Sequence, residues 1–356
     1  MTVENLPFQS PDGDQRRETI NTRQRFDLFR DAKARADGYR GSMVFATVNG
    51  GDYLLRSFYD PKTGRRRQTS LGPRSPDAER TKAEFDAGRR QAEERLAAAR
   101  DAVERQAGLN RALGLGRVPS LAARIVRALD AAGLMGRGLR VVGTHALYAY
   151  EAAAGIHLAP DVTTTEDIDL LFDARASIVL QAGEDLPERS LMGLLRRVDR
   201  SFERGRQTFR ASNRDGFLVD LVHPMRHPPW RAEQTGVADP ATDLDAVQIE
   251  GLIWSENAPP FSATAIDARG FPLHIVVPDP RAFAVHKLWM SRRPDRDPLK
   301  TGRDAAQARA VAALVARHMP HLPFRPEELR SFPRDVVEAV APLFAGARAP
   351  DARFDG

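Results

Sequence analysis

The sequence contains no cysteine among its 356 residues. Disulfides, thiolate nucleophiles and cysteine-ligated zinc are excluded together. Lysine is scarce: Lys33, Lys62, Lys82, Lys287 and Lys300 are five of 53 basic residues, and arginine supplies the rest. In such a chain arginine serves wherever a generic cation suffices, and a lysine marks a place that wants a compact, tunable ammonium. No apolar run approaches the ~20 residues needed to cross a bilayer. The stretch from Met1 to Gln15 is polar and acidic, unlike a secretory signal. The expectation is a cytoplasmic protein without a membrane partner. Repeats of 20–50 residues are absent, which argues against solenoids. There is no Gly-x-x-x-x-Gly-Lys-Ser/Thr loop and no Gly-x-Ser-x-Gly elbow, so P-loop NTPases and α/β-hydrolases are set aside.

What is present is ordinary globular composition, 42% hydrophobic and 28% charged, with a net charge of +5 that suits nucleotides or RNA. Residues 1–40 are polar, with helix expected over Thr19–Ala36. Residues 41–117 read as a meander followed by a long charged helix. Strands are expected at Met43–Val48, Tyr53–Tyr59 and Arg65–Leu71, joined by turns at Asn49–Asp52 and Asp60–Gly64. Ser75 is placed to cap the helix, with Pro76 at its first position and Asp77 and Glu79 in its first turn. That helix is expected to run to about Gln106 and end at Gly108. Its thin alanine stripe suits a helix lying across another surface. Arg65, Arg66 and Arg67 read as a solvated sheet edge, with phosphate contact as the alternative.

From residue 118 strands and helices mix. Helices are expected at Pro119–Leu134, His145–Ala154, Leu191–Phe202, Arg281–Ser291 and Gly302–His318. Strands are expected at Leu139–Val142, Ile168–Phe172, Thr208–Ala211, Phe217–Val222, Val247–Trp254 and Leu273–Val277. This order gives an α/β or α+β fold, and the expectation taken is α+β. It divides the chain into segments 1–40, 41–117, 118–278 and 279–356.

Three pieces carry chemistry. The strand Leu139–Val142 runs into Gly143-Thr144 and then a helix. That turn aims backbone N–H groups outward, where a phosphate fits; Gly143 admits close approach, and Thr144 can cap the helix or bond a phosphate oxygen. Alone, such a turn is common. In Asp167-Ile168-Asp169, strand alternation puts both carboxylates on one face. Side by side they repel, and a divalent cation relieves that; otherwise both reach water. In Phe217–Val222, a single Asp220 sits in an apolar strand, where an unpartnered carboxylate is costly. If that strand pairs beside the Asp167 strand, three carboxylates converge on a site for Mg²⁺ or Mn²⁺. The pair His223 and His227 is discounted as a zinc site because Pro224 and Pro228 oppose a helix there. Trp230, Trp254 and Trp289 read as core or interface anchors.

The order strand–Gly–hydroxyl, Asp-x-Asp, lone strand Asp resembles the polymerase-β-type nucleotidyltransferase superfamily. The strings Val142–Glu151, Thr165–Leu171, Gly216–Leu221 and Pro280–Trp289 are similar to a bacterial nucleotidyltransferase-like family related to abortive-infection nucleotidyltransferase toxins. The resemblance covers roughly residues 118–345. Where that branch usually carries Asn, this chain has His145. The resemblance implies a mixed sheet flanked by helices, here with a small antiparallel sheet and long helix before it and a helical region after it. It further implies Lys287 and Arg303 as triphosphate ligands, Lys300 as a helper, and Asp304 orienting one of these cations; the alternative is that Asp297 caps a helix and the Arg and Asp residues there are surface pairs worth little. The reaction expected is transfer of NMP from an NTP such as ATP to a hydroxyl or phosphate acceptor, with RNA or tRNA as a candidate. Asp167, Asp169 and Asp220 would hold metal, and Gly143 and Thr144 the β- and γ-phosphates. An antitoxin or regulatory protein is a further implied partner. Two alternatives stay open: a phosphotransferase on the same fold, and a catalytically silent nucleic-acid-binding or regulatory module.

Overall fold

The computed structural model describes residues 8–59, 66–175, 190–226, 235–239 and 241–347. The expected turn at Asp60–Gly64, as well as Arg65, His227 and Trp230, lies outside the described residues.

The N-terminal part comprises strand β1 (Phe8–Gln9), helix α1 (Gly13–Gly38), strands β2 (Ser42–Val48), β3 (Gly51–Tyr59) and β4 (Arg66–Pro73), and helix α2 (Pro76–Ala112). The three longer strands form the expected antiparallel sheet in the order β2-β3-β4. The exposed residues Arg66 and Arg67 lie on its edge strand. Asn49, at φ 52°, makes the hairpin turn between β2 and β3. Ser75 caps α2 by accepting the Ala78 N–H at 3.1 Å, with Pro76 at the helix start. Both long helices exceed their expected bounds. α1 starts earlier because Asp12 and Gln15 form a capping box. α2 runs past Gly108 because it packs on α1 through a polar seam. Thr22 Oγ1 donates to Asn110 Oδ1 at 2.8 Å, Gln106 Nε2 donates to Asn110 Oδ1 at 3.0 Å, and Asn110 Nδ2 donates to the Gly270 carbonyl at 2.8 Å.

The second part begins with helix α3 (Ser120–Ala131), strand β5 (Leu139–Val142), a 3₁₀ turn at Gly143–Ala146 and helix α4 (Leu147–Ala154). Next come β6 (His157–Leu158), α5 (Pro160–Thr163), β7 (Asp167–Phe172), α6 (Leu191–Val198), β8 (Glu203–Arg204), β9 (Arg210–Ser212), β10 (Leu218–Pro224) and β11 (Val247–Ile249). The chain continues with α7 (Leu252–Asn257), β12 (Pro260–Ile266), β13 (Pro272–Pro278), α8 (Pro280–Ser291), α9 (Pro298–His318) and α10 (Arg334–Ala345). The central sheet has the order β5-β7-β10-β9-β8, with β11 also on β10. β5 is antiparallel to β7, and β7 is parallel to β10, so the sheet is mixed as expected.

Alternation divides the strands of this sheet. Val141, Ile168, Leu170, Val219 and Leu221 point into the main core, shared with α3, α4, α6, α8 and α9. Burial of each such side chain stabilises the fold by roughly 1.5–3 kcal/mol. The opposite face carries a smaller cluster of Val142, Leu171, Val222 and Leu252. Leu252 belongs to α7, which corrects the expected strand Val247–Trp254. The strand ends at Ile249, and Gly251 turns the chain at φ 80°, packed so closely on the Trp289 ring that a Cβ would overlap it. A continuous apolar run does not distinguish strand from helix. The helix expected to reach Phe202 stops at Val198, because Asp199 takes an extended conformation (φ −149°). β12 and α10 were not anticipated, and α9 starts one turn earlier than expected, capped by Asp297. No helix among the described residues is long and apolar enough to cross a membrane.

Candidate active site

The sheet register assembles the site. On β7, Asp167 and Asp169 alternate with buried Ile168 and Leu170, so both carboxylates leave the main core on the smaller-cluster face. Asp169 is paired with Val142 of β5 on one side and with Asp220 of β10 on the other. Register partners project to the same face, so the three aspartates occupy adjacent strands on one side of the sheet. Their charges interact. Burial and then the charges of Asp167 and Asp220 push the Asp169 carboxyl up to about 7, against the opposing charges of Lys287 and Lys300. Thr165 Oγ1 donates a hydrogen bond to Asp167 Oδ1.

Gly143 follows Val142 directly and sits at φ 65°. A Cβ there would overlap Asp169 Oδ2. The glycine is therefore required first by a close protein neighbour, the carboxylate, rather than by a ligand. The capping role expected of Thr144 is not found: Val142 is the residue at the cap position, without a side-chain hydrogen bond. Thr144 Oγ1 instead accepts from Arg303 Nη2 at 3.3 Å and from Gln307 Nε2 at 3.2 Å. Gln307 also donates to the Val162 carbonyl at 2.8 Å, and Arg303 to the Thr164 carbonyl. These contacts dock α9 against the turn that precedes β7. Next to this turn, His145 is buried, with its ring near Tyr148 (5.7 Å) and Phe217 (6.4 Å). Burial lowers its pKa to about 4, so the imidazole is neutral.

The cationic wall comes from α8 and α9. Lys287 Nζ donates to Asp304 Oδ1 at 2.6 Å, and Arg296 binds the other oxygen at 2.7 Å. Asp304 is buried and neutralised from both sides, an arrangement that orients the lysine. Desolvation lowers the Lys287 pKa, opposed first by Asp304 and also by the charge of Asp169. Lys300 is exposed on the first turn of α9, near enough to act on Asp169. The structure thus brings Gly143, Thr144, Asp167, Asp169, Asp220, Lys287, Lys300, Arg303 and Asp304 to one side of the sheet end. Arg296, Gln307, Thr165 and Arg210 were missed. Nothing local in the sequence marks Gln307 or Arg296, whereas Thr165 lies within the motif string itself.

Arg210 bears on the metal question. Its Nε and Nη2 bind the two oxygens of Asp220 at 2.7 and 2.6 Å. Among the described residues, no group of three or more His, Asp or Glu is gathered as a ready metal cage. The donor chemistry nevertheless fits a hard divalent cation. Asp167 and Asp169 present oxygen ligands only, and burial, with the neighbouring charges of Asp167 and Asp220, holds the Asp169 pKa up against the opposing charges of Lys287 and Lys300, a penalty that a bound cation relieves.

The sequence profile of a nucleotidyltransferase family matches residues 120–330, more than half of the chain. The chain belongs to this nucleotidyltransferase family. No curated protein and no solved structure matches it significantly. Membership makes the protein a transferase of phosphorus-containing groups that takes an NTP as substrate. The match spans the central sheet together with α8 and α9, and so contains every residue of the site just described.

Proposed function

We propose that this nucleotidyltransferase transfers an NMP, from ATP or another NTP, to a hydroxyl or phosphate acceptor with release of pyrophosphate, using Mg²⁺ or Mn²⁺. The observation that carries this reading is the register of β5, β7 and β10, which puts Asp169 between the Gly143 turn and Asp220, opposite a lysine- and arginine-bearing wall. Asp167 and Asp169 would hold the metal, with Asp220 completing the set and assisting deprotonation of the attacking hydroxyl. Bound there, a divalent ion supplies charge neutralisation for the triphosphate. Lys287 and Arg303 would bind the triphosphate, with Lys300 beside them, while Asp304 holds Lys287 in place. Gly143 and Thr144 would meet the β- and γ-phosphates.

RNA or tRNA is the acceptor we favour, presented by the sheet and helix of residues 41–117. Residues 39–74 contain seven Lys or Arg and two Asp; this surplus equals the net charge of the whole chain, +5. A local basic surplus of that kind suits a phosphate backbone. In this reading residues 118–278 are the catalytic unit and residues 279–356 close the nucleotide side. The relation to abortive-infection toxins, a cytoplasmic setting and a regulatory antitoxin belong to the same proposal.

The test uses α- and γ-labelled NTPs with small RNAs and tRNA as acceptors. Label from the α position on the acceptor, lost in Asp167→Ala and Asp169→Ala, supports the reading. Label from the γ position would make the protein a phosphotransferase. Transfer that survives both substitutions would refute the site.

A further inference from the structure

Among the described residues, Asp220 is the one of the three aspartates held in a salt bridge. Arg210 meets it in a two-point contact, a fork geometry in which a guanidinium matches a carboxylate better than an ammonium does. Backbone pairing favours the contact: Arg210 on β9 is the register partner of Asp220 on β10. The same pairing puts Arg210 on the face of the sheet that bears Asp169. Its charge also interacts with Asp167 and Asp169, so it neutralises the cluster as well as one member. The guanidinium lies 5.5 Å from the Phe209 ring centroid. It keeps a third of its side-chain surface in contact with solvent while Asp220 is nearly covered. A covered carboxylate and a partly solvated cation form a pair that opens by movement of the arginine.

We propose that Arg210 occupies the coordination position of Asp220 and that a divalent metal must displace it, so that this arginine sets the metal affinity of the site. The inference rests on the metal reading above. It makes Arg210 a positioning residue, acting through Asp220. The exchange involves no covalent step. Asp220 gives up two hydrogen bonds and gains a share of a divalent charge, and the guanidinium passes to water or to an anionic ligand.

The full-length protein is titrated with Mn²⁺ alone, and free Mn²⁺ is followed by its paramagnetic resonance signal. The variants are Arg210→Gln, Arg210→Lys, Asp220→Asn and the double variant Arg210→Gln/Asp220→Asn. Removing the competitor in Arg210→Gln should tighten Mn²⁺ binding about tenfold, equivalent to about 1.4 kcal/mol. Arg210→Lys keeps the charge but loses the fork, and should fall between wild type and Arg210→Gln. It also serves if the glutamine variant does not fold. In the Asp220→Asn background, the gain on losing Arg210 should be clearly smaller, because only its charge on Asp167 and Asp169 is then removed. Equal affinity in wild type, Arg210→Gln and Arg210→Lys overturns the inference. So does an equal gain with and without Asp220, which would show simple charge repulsion. Either result leaves the metal site standing. Failure of wild type and every variant to bind Mn²⁺ overturns both readings.

Discussion

Gly143→Ala tests the site's geometry with a single methyl group. Two costs follow from the structure. The first is local: φ 65° is left-handed backbone, which costs a side-chain-bearing residue about 1 kcal/mol relative to glycine. The second is a collision, because the new Cβ overlaps Asp169 Oδ2 and lies 3.3 Å from its Cγ. The carboxylate must turn away or β5 must shift, and overpacking of this kind costs roughly 1–3 kcal/mol. The expected total is about 2–4 kcal/mol, with most of the coupling assigned to one partner. A double-mutant cycle isolates it. In an Asp169→Ala background the collision partner is gone, and Gly143→Ala should then cost only the backbone strain, about 1 kcal/mol. Urea unfolding of the four proteins measures both values. Nucleotidyl transfer by Gly143→Ala should fall at least 100-fold, since displacement of a reacting group by about 1 Å costs that much. If Gly143→Ala destabilised equally in both backgrounds, or left transfer intact, the close approach of the turn to Asp169 would not be what the glycine provides.

Other outcomes follow from the same geometry. Because the Asp169 carboxyl is pushed up from 3.8 to about 7, the folded protein holds this proton more tightly than the unfolded chain. Its contribution to stability is full below about pH 4 and is lost as pH rises through 7. In EDTA, Asp169→Asn should therefore flatten the decline in unfolding free energy between pH 4 and 8, and a profile parallel to wild type would contradict this. Lys287→Met should raise the KM for NTP about tenfold, the loss of one charge-assisted contact to phosphate, while thermal unfolding shifts little because Arg296 still pairs with Asp304; an unchanged KM refutes the triphosphate role. Ser75→Ala removes the cap of α2 and should cost about 1 kcal/mol in chemical unfolding without altering nucleotidyl transfer measured well below the unfolding midpoint.

Much of the site was legible because it is encoded at short range. Asp167 and Asp169 share a face by alternation alone, and Asp220 is conspicuous in an apolar strand. Their convergence needed one assumption, that β10 lies beside β7, and the register supports it residue by residue. The Gly143 turn was correctly located but its physical reason was not, since a close approach to Asp169 is a tertiary fact. Thr144 illustrates the same limit: its hydroxyl serves Arg303 and Gln307, more than 150 positions away, and not the adjacent helix. Arg210 carried no local signal in a chain so rich in arginine, and its importance appears only in the pairing of β9 with β10. The strand read through Val247–Trp254 failed because an apolar run satisfies both periods until Gly251 breaks it. Ser75 and Pro76 marked the start of α2, but its far end depends on the polar seam with α1, and the start of α1 on the Asp12–Gln15 capping box.

The central claim, a divalent metal held by the carboxylate cluster against a bound triphosphate, is tested most directly by anomalous diffraction. Crystals of the full chain grown with Mn²⁺ and a non-hydrolysable NTP would be measured at the manganese edge. An anomalous peak is expected about 2.0–2.6 Å from oxygens of Asp167 and Asp169, with the triphosphate between that peak and Lys287 and Arg303. A nucleotide bound elsewhere, or a nucleotide in place with no peak at the aspartates, would contradict it.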